Sequence, residues 1–291
     1  MSDYVLGVVG AGVMGTGIAQ CAAERGLRVV LIDSHAPALE ASKRRMIRDL
    51  RLVRMLGALA PGTSPAPSSA APASVLDRIK FSDSLSAVAE SNFILETIPE
   101  KITAKEQLFR ALDELCPPHV CFASNTSAIP IARLAAVTRR AARVAGIHFM
   151  NPAPLKMTVE LVRAPATSDE TLAAAKDLLK QLDKDFVEVH DGPGFVGNRV
   201  VMLAVNEAIA LTAEGKAAPG EIDRLFRSCL GHKLGPLATA DLIGLDVVCD
   251  TLIVLCELIG NHYRPHPLLV EMVGRGQLGC KSGQGFFSYP P

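Results

Sequence analysis

The stretch Val5–Asp33, VLGVVGAGVMGTGIAQCAAERGLRVVLID, decides the fold. It opens with an apolar run, Val5–Val9, short and β-branched enough to be a buried strand. Gly10, Gly12 and Gly15 follow in G-x-G-x-x-G spacing, with Gly17 inside a helix that runs to about Gly26. A second apolar strand, Arg28–Ile32, ends at Asp33. In this pattern Gly10 permits the tight turn, Gly12 lets backbone approach a pyrophosphate, and Gly15 lets the helix pack closely on the sheet. The helix N-terminus adds free N–H groups and a positive dipole end. The loop residues Gly10, Ala11, Gly12, Val13, Met14 and Gly15 are therefore candidate cofactor contacts. Asp33, closing the second strand, would accept hydrogen bonds from the adenosine ribose. Its charge would repel a 2′-phosphate, and Ser34, His35 and Ala36 bring no arginine, so the pattern predicts NAD rather than NADP. The competing reading is a glycine-rich turn in another α/β protein. Strand, glycines, helix, strand and acid in register favour the dinucleotide site.

The 291 residues suffice for one large domain or two ordinary ones, and with 49% of them hydrophobic a sizeable core is expected. Thirty basic and thirty acidic residues cancel, which argues against a global nucleic-acid or membrane role. The seven cysteines form no C-x-x-C and have no histidine at metal spacing, so no metal site is expected and reduced thiols in the cytoplasm fit best. Cys249 and Cys256, two helical turns apart, read as core. The first strand begins almost at once, leaving no room for a signal peptide, and no apolar run reaches the length of a bilayer span.

After Asp33 an arginine-rich helix, Ala36–Leu56, places Arg44, Arg48 and Arg51 on one face with Arg45 and Arg54 nearby. Gly57–Ser74, rich in Ala, Pro and Ser, makes a continuous helix improbable and reads as a mobile surface excursion. Strands are expected at Ile79–Phe81, Asn92–Ile98, Val120–Ser124, Val144–Met150, Thr158–Val162 and Asp185–Val189. Helices are expected at Ser84–Glu90, Ala104–Leu115, Ile129–Ala136 and Asp169–Leu182. This alternation predicts an α/β fold of Rossmann type, a doubly wound, mostly parallel sheet, over residues 1–190. Residues 191–291 read as an all-helical domain, with helices over Gly194–Glu214, Ala218–Ser228, Pro236–Ile259 and Pro267–Gly274. Its apolar faces point to a homodimer.

Three polar clusters fall at strand ends, where open α/β sheets bind ligands. They are Glu100 with Lys105 one turn on, Ser124-Asn125-Thr126-Ser127, and His148-Phe149-Met150-Asn151-Pro152. Glu160 lies on the following strand, within reach of His148 if the loop 152–157 folds back. Asn198 starts the first helix of the second domain. Such a set suits alcohol oxidation by a nicotinamide. A histidine removes the hydroxyl proton as hydride leaves, and a carboxylate on its other nitrogen fixes the tautomer. Ser127 and Asn198 would hydrogen-bond the substrate oxygens. Each has a plainer reading: a structural histidine, a solvated glutamate, Ser127 as the N-cap of the helix that follows, and Asn198 bonding locally. The other six histidines read as exposed.

Taken in order, GAGVMGTGIA, ASNTSAI, GIHFMNPAP…VELV, DGPGFVGNRV, LGPLATADLIGLD and LGCKSGQGFFSY resemble 3-hydroxyacyl-CoA dehydrogenases over essentially the whole chain. The resemblance implies NAD-linked oxidation of a 3-hydroxyacyl thioester and a helical dimerisation domain. It implies His148 as base, Glu160 as its orienting carboxylate, and Ser127 and Asn198 at the substrate. NAD contacts are implied at the glycine loop, Asp33, Glu100, Lys105, Ser127, Asn151 and Lys281. The family's excursion after the second strand is a lysine-rich hairpin over the CoA nucleotide, whereas Gly57–Ser74 holds no lysine. The wording of HFMNPAPLKMTVELV and YRPHPLLVEMVGRGQLG is closer to a polyketide-pathway branch, implying a hydroxyacyl (glyceryl) group on an acyl carrier protein. An acidic carrier, or the phosphates of CoA, would suit Arg44, Arg45, Arg48 and Arg51. The alternatives are a dehydrogenase of a free hydroxy acid or sugar acid, and a non-catalytic NAD-binding protein.

Overall fold

The computed structural model describes residues 4–59 and 72–289, which form two compact units. One comprises the described residues up to Thr126 together with Pro130–Asp191. The other joins Ser127–Ile129 to Gly192 and the described residues after it.

In the first unit the strands are β1 (Val5–Val9), β2 (Arg28–Ile32), β3 (Ile79–Ser82), β4 (Phe93–Glu96), β5 (Cys121–Ser124), β6 (Val144–His148), β7 (Thr158–Arg163) and β8 (Asp185–His190). The helices are α1 (Val13–Glu24), α2 (Ala36–Leu59), α3 (Pro72–Leu76), α4 (Ile102–Leu115), α5 (Ile131–Ala135) and α6 (Asp169–Gln181). The strands form one sheet in the order β3-β2-β1-β4-β5-β6-β7-β8. From β3 to β6 every pairing is parallel. Strands covered on both faces read as unbroken apolar runs, as β1 does with every residue buried. The sheet order reverses between β1 and β4, the switch point at which such sheets bind ligands.

The mostly parallel α/β sheet matches the sequence pattern, with a reversal at one edge. β7 runs antiparallel to β6, and β8 is parallel to β7. A parallel pair needs a crossover of about a dozen residues or more, and the short connection 149–157 can only turn the chain back. Leu6, Val8, Ile18, Leu31 and Met46 form part of the core that joins β1 and β2 to α1 and α2.

Several boundaries differ from the sequence reading. The strand expected over Asn92–Ile98 is limited to Phe93–Glu96, and Leu85–Glu90 is a 3-10 helix. Of the Gly57–Ser74 excursion, residues 57–59 complete α2 and Pro72 opens α3, a position where its missing N–H costs nothing. Residues 60–71, and with them the expected mobility, lie outside the described residues.

The second unit holds α7 (Gly197–Ala213), α8 (Pro219–Leu230), α9 (Pro236–Ile243), α10 (Leu245–Leu258) and α11 (Pro267–Gly274) around Met202, Ile209, Leu237, Leu252 and Tyr263. The single helix expected over Pro236–Ile259 is broken at Gly244, whose φ of +104° lies where side-chain-bearing residues are strained. Among the described residues no helix is long and apolar enough to cross a membrane.

Candidate active site

The glycine loop leaves β1 at the switch point and enters α1. Gly10 has φ +108°, and a Cβ there would meet the Thr97 carbonyl at 2.8 Å. A Cβ on Gly15 would sit 1.9 Å from the Gly10 oxygen, so the first turn closes on its own loop. Gly12 differs: a Cβ there meets nothing within 4 Å. Internal packing therefore gives no reason for glycine at this position, whereas a diphosphate approaching the exposed backbone does. The first turn of α1 has no side-chain cap, and Gly12 and Val13 are exposed. Asp33 accepts from the Ala11 N–H at 2.8 Å through Oδ2 and from the His35 N–H at 2.9 Å through Oδ1. Each carboxylate oxygen has a second lone pair for a ribose hydroxyl. Loop, helix start and acid fit a dinucleotide.

At the ends of β4 and β5 lies a buried charge network. Lys105 is 1% exposed, and its Nζ donates to Glu96 Oε1 at 2.5 Å and to the Ile98 carbonyl at 3.1 Å, with Glu100 Oε2 at 3.3 Å. Glu96 also accepts from the Ile98 N–H at 2.7 Å and from the Ser124 hydroxyl at 2.5 Å. Thr126 donates its hydroxyl to Glu100. Burial pushes the Glu96 carboxyl above the ordinary carboxylate range, and the Lys105 ammonium and Ser124 hydroxyl pull it back. Glu100 and Lys105, paired on the sequence as cofactor contacts, are thus brought together, with the ammonium turned into the protein.

His148 ends β6, and Glu160 stands directly opposite on β7. His148 Nδ1 and Glu160 Oε2 are 2.7 Å apart, and both residues are buried. With the carboxylate ionised, Nδ1 carries the hydrogen and donates it, which sets the tautomer and leaves the basic lone pair on Nε2. Antiparallel pairing makes residues twelve apart in sequence cross-strand partners. Asn151 is exposed in the turn that follows, before a cis bond to Pro152.

In the second unit Asn198 donates from Nδ2 to the Ser127 carbonyl at 3.0 Å, so these two are also brought together. Asn198 lies in the first turn of α7, and its bond is long-range rather than local. Ser127 is not the N-cap of α5. That cap is Pro130, and Asp191 accepts from the Ile131 and Ala132 N–H groups at 2.8 and 2.7 Å. Lys281 pairs with Asp246. The expectation of six exposed histidines holds for five of them. His266 is half-buried, its Nδ1 accepting from the Leu268 N–H at the start of α11. Cys249 is buried, but Cys256 is only half-buried.

Comparison with known proteins matches the family profile "3-hydroxyacyl-CoA dehydrogenase, NAD binding domain" to residues 5–192 and "3-hydroxyacyl-CoA dehydrogenase, C-terminal domain" to residues 194–289. The chain belongs to the 3-hydroxyacyl-CoA dehydrogenase family. It is 43% identical to the probable 3-hydroxybutyryl-CoA dehydrogenase of Bacillus subtilis, over 97% of this chain and 96% of that one. The crystal structure of (S)-3-hydroxybutyryl-CoA dehydrogenase from Ralstonia eutropha is similar, with a TM-score of 0.86 and 39% identity over the full length of both chains. FadB2 of M. tuberculosis superposes with a TM-score of 0.90 at 33% identity, covering 98% of each chain.

Within this NAD-dependent dehydrogenase, Glu96, Asp191 and Lys184 escaped the sequence reading. Glu96 carried a usable signal: a carboxylate inside the apolar run FILE demands a buried partner, and Lys105 lies nine residues on. Asp191 and Lys184 bond backbone groups far away in sequence, and no local pattern marks them.

Proposed function

We propose that this chain oxidises the hydroxyl of a 3-hydroxyacyl thioester to the 3-oxo group, with His148 as general base. The contact of 2.7 Å between His148 Nδ1 and Glu160 Oε2, in register across β6 and β7, carries the reading. Bound NAD supplies the hydride acceptor. Nε2 of His148 takes the hydroxyl proton, and Glu160 holds the ring and stabilises the imidazolium that forms. Ser127 and Asn198 are assigned to the substrate oxygens. The dinucleotide is assigned to Gly10–Gly15, Asp33, Glu100, Lys105, Ser127, Asn151 and Lys281. His148→Gln should keep NADH binding and lower kcat by about 10²–10⁴-fold. Near-normal turnover in that variant would refute the assignment.

The carrier is read from α2. Arg44, Arg48 and Arg51 line a surface groove of about 410 Å³ with Ile47 and Leu52, which suits an anionic carrier. The relatives' names favour CoA, and the arginines also fit an acyl carrier protein. Initial rates with a 3-hydroxybutyryl group on CoA, the same group on a carrier protein, and a glyceryl-carrier thioester separate the two. Activity on the carrier-bound forms alone selects the polyketide-type role.

A homodimer through the second unit is supported by the exposed Val200, Leu225, Leu230 and Ile253. A clean monomer in sedimentation at micromolar concentration would overturn it. Free thiols at all seven cysteines suit the cytoplasm.

A further inference from the structure

Lys184 stands just before β8 and is 7% exposed. Among the described residues it makes no ion pair. Its ammonium instead donates to the carbonyls of Ala153 at 2.9 Å and Lys156 at 2.8 Å, with Pro154 at 3.5 Å. All three belong to the turn 149–157 that reverses the chain between His148 and Glu160. An ammonium has three donors and no acceptor, so it suits a cluster of carbonyls that no strand can satisfy. The Glu24 carboxylate is near enough to attract the ammonium but makes no direct ion pair with it, so the carbonyls carry its hydrogen bonds.

The same turn is held at further points, and at its end the Asp185 N–H donates to the Met157 carbonyl at 2.9 Å. Asn125, at the end of β5, accepts from the Phe149 N–H at 2.8 Å. Gly17 of α1 lies against its far side, where a Cβ would come within 3.2 Å of Pro154 Cδ and 3.4 Å of Ala153 Cβ. Within the turn only local bonds are found, from the Leu155 and Lys156 N–H groups to the Pro152 carbonyl. Its position relative to β6 and β7 therefore depends on these outside holds, and Lys184 supplies the charged one.

We propose that Lys184 is a positioning residue for the proton-transfer pair: its ammonium gathers the carbonyls of Ala153, Pro154 and Lys156 in the β6–β7 turn and so keeps His148 facing Glu160. The inference rests on the reading of His148 as the base. It gives Lys184 a role in the rate of the chemical step, not in cofactor affinity, because the glycine loop is held by Thr97 and Asp33 instead.

The test replaces Lys184 by Met, which keeps the stem and removes the donors, in the full-length protein. NADH affinity by fluorescence titration should stay within twofold of wild type. At saturating NAD and thioester, kcat should fall by about tenfold to a hundredfold, the scale expected for a catalytic group misplaced by about 1 Å. Lys184→Arg, which restores a charge and donors, should recover part of the loss. Hydrogen exchange should rise in the peptide covering residues 150–158. If K184M does not fold, Lys184→Gln carries the same measurements with a smaller fall. A variant with lowered Tm but wild-type kcat makes Lys184 merely structural and overturns the proposal. So does a fall in NADH affinity that matches the fall in kcat. His148→Gln is assayed alongside: normal turnover there shows that the base reading has failed, whereas a dead H148Q beside a fully active K184M shows that the Lys184 inference alone has failed.

Discussion

Lys105→Met separates a lysine that touches cofactor from a lysine that holds the fold. Lys105 is 1% exposed and Glu96 fully buried, with Nζ and Oε1 2.5 Å apart. Removing the ammonium leaves a buried carboxylate whose remaining polar partners are the Ile98 N–H and the Ser124 hydroxyl. Breaking such a pair from one side costs about 3–5 kcal/mol. The carboxylate has an escape, since it can take up a proton. That route costs about 1.4 kcal/mol for each pH unit above an unfolded-state value of about 4.3, hence about 3.7 kcal/mol at pH 7 and about 1 kcal/mol at pH 5. The protonated route thus caps the penalty near the middle of the expected range.

The sign follows from the proton count. In wild type burial already holds the Glu96 carboxyl above the ordinary range, and losing the ammonium raises it further, so K105M keeps its proton to higher pH than wild type and its deficit shrinks as pH falls from 7 towards 5. At pH 7 the loss corresponds to about 7–15 °C in Tm for a domain of this size. Urea melts of wild type, K105M and the double variant E96Q/K105M at several pH values between about 5 and 7.5 measure it. The double variant has no carboxylate to titrate, and its difference from wild type should lose most of that slope. A K105M whose stability deficit is the same at pH 5 and pH 7 would refute the reasoning. So would one that melts like wild type and only loses NADH affinity, which would place the ammonium's work at the cofactor.

Two further outcomes are expected. Burial pushes the thiols of Cys21 and Cys116 up to about 11, so at about pH 8 only about one in a thousand of each is thiolate; iodoacetamide followed by peptide mass spectrometry should label the exposed Cys229 and Cys280 and spare Cys21 and Cys116 until the protein is denatured. Asp113 is buried, which raises its carboxyl, but the N–H groups of Arg139 and Arg140 outweigh this and hold it below the usual aspartate range. Its contribution is present in full above the unfolded value of about 3.9 and is lost as pH falls towards the lower folded value. Asp113→Asn should therefore destabilise the protein at neutral pH and show a shallower loss between about pH 4 and pH 2.5 in urea melts. A variant with the wild-type acid slope would show that other carboxylates dominate.

What was legible in the sequence was what local pattern encodes. β1, α1 and β2 follow from apolar runs punctuated by Gly10, Gly12 and Gly15, because a strand buried on both faces and a helix that must touch its own loop leave few residue choices. His148 and Glu160 could be named from strand-end positions, but their bond depended on a reversal that β-propensity does not report. A strand looks the same in either direction, and only the length of 149–157 carries the sign. The break at Gly244 was hidden for the opposite reason: the apolar period continues on both sides of it, and a positive φ leaves no trace in periodicity. Ser127 shows the third kind of loss. Its type and place fit an N-cap, yet Asp191, far along the chain, satisfies the first N–H groups of α5.

Asp191, Asp223 and Asp241 share one device, which explains why that loss recurs. Asp223 accepts from the Leu237 and Ala238 N–H groups at the start of α9, and Asp241 from those of Phe286 and Phe287 with the Tyr289 hydroxyl. In each case one buried or half-buried carboxylate closes two neighbouring donors on a distant segment. Lys184 is the cationic counterpart, closing carbonyls instead of N–H groups. A helix start or a turn without a good local cap is tolerable when a remote charge satisfies it. The local sequence is then free of the residue that a cap would require, so pattern reading places the element and misplaces its end. Such charges also couple the segments they join, since breaking one leaves two or three backbone groups unsatisfied at once. Through such coupling a side chain outside the pair, such as Lys184, bears on the turn that joins His148 to Glu160.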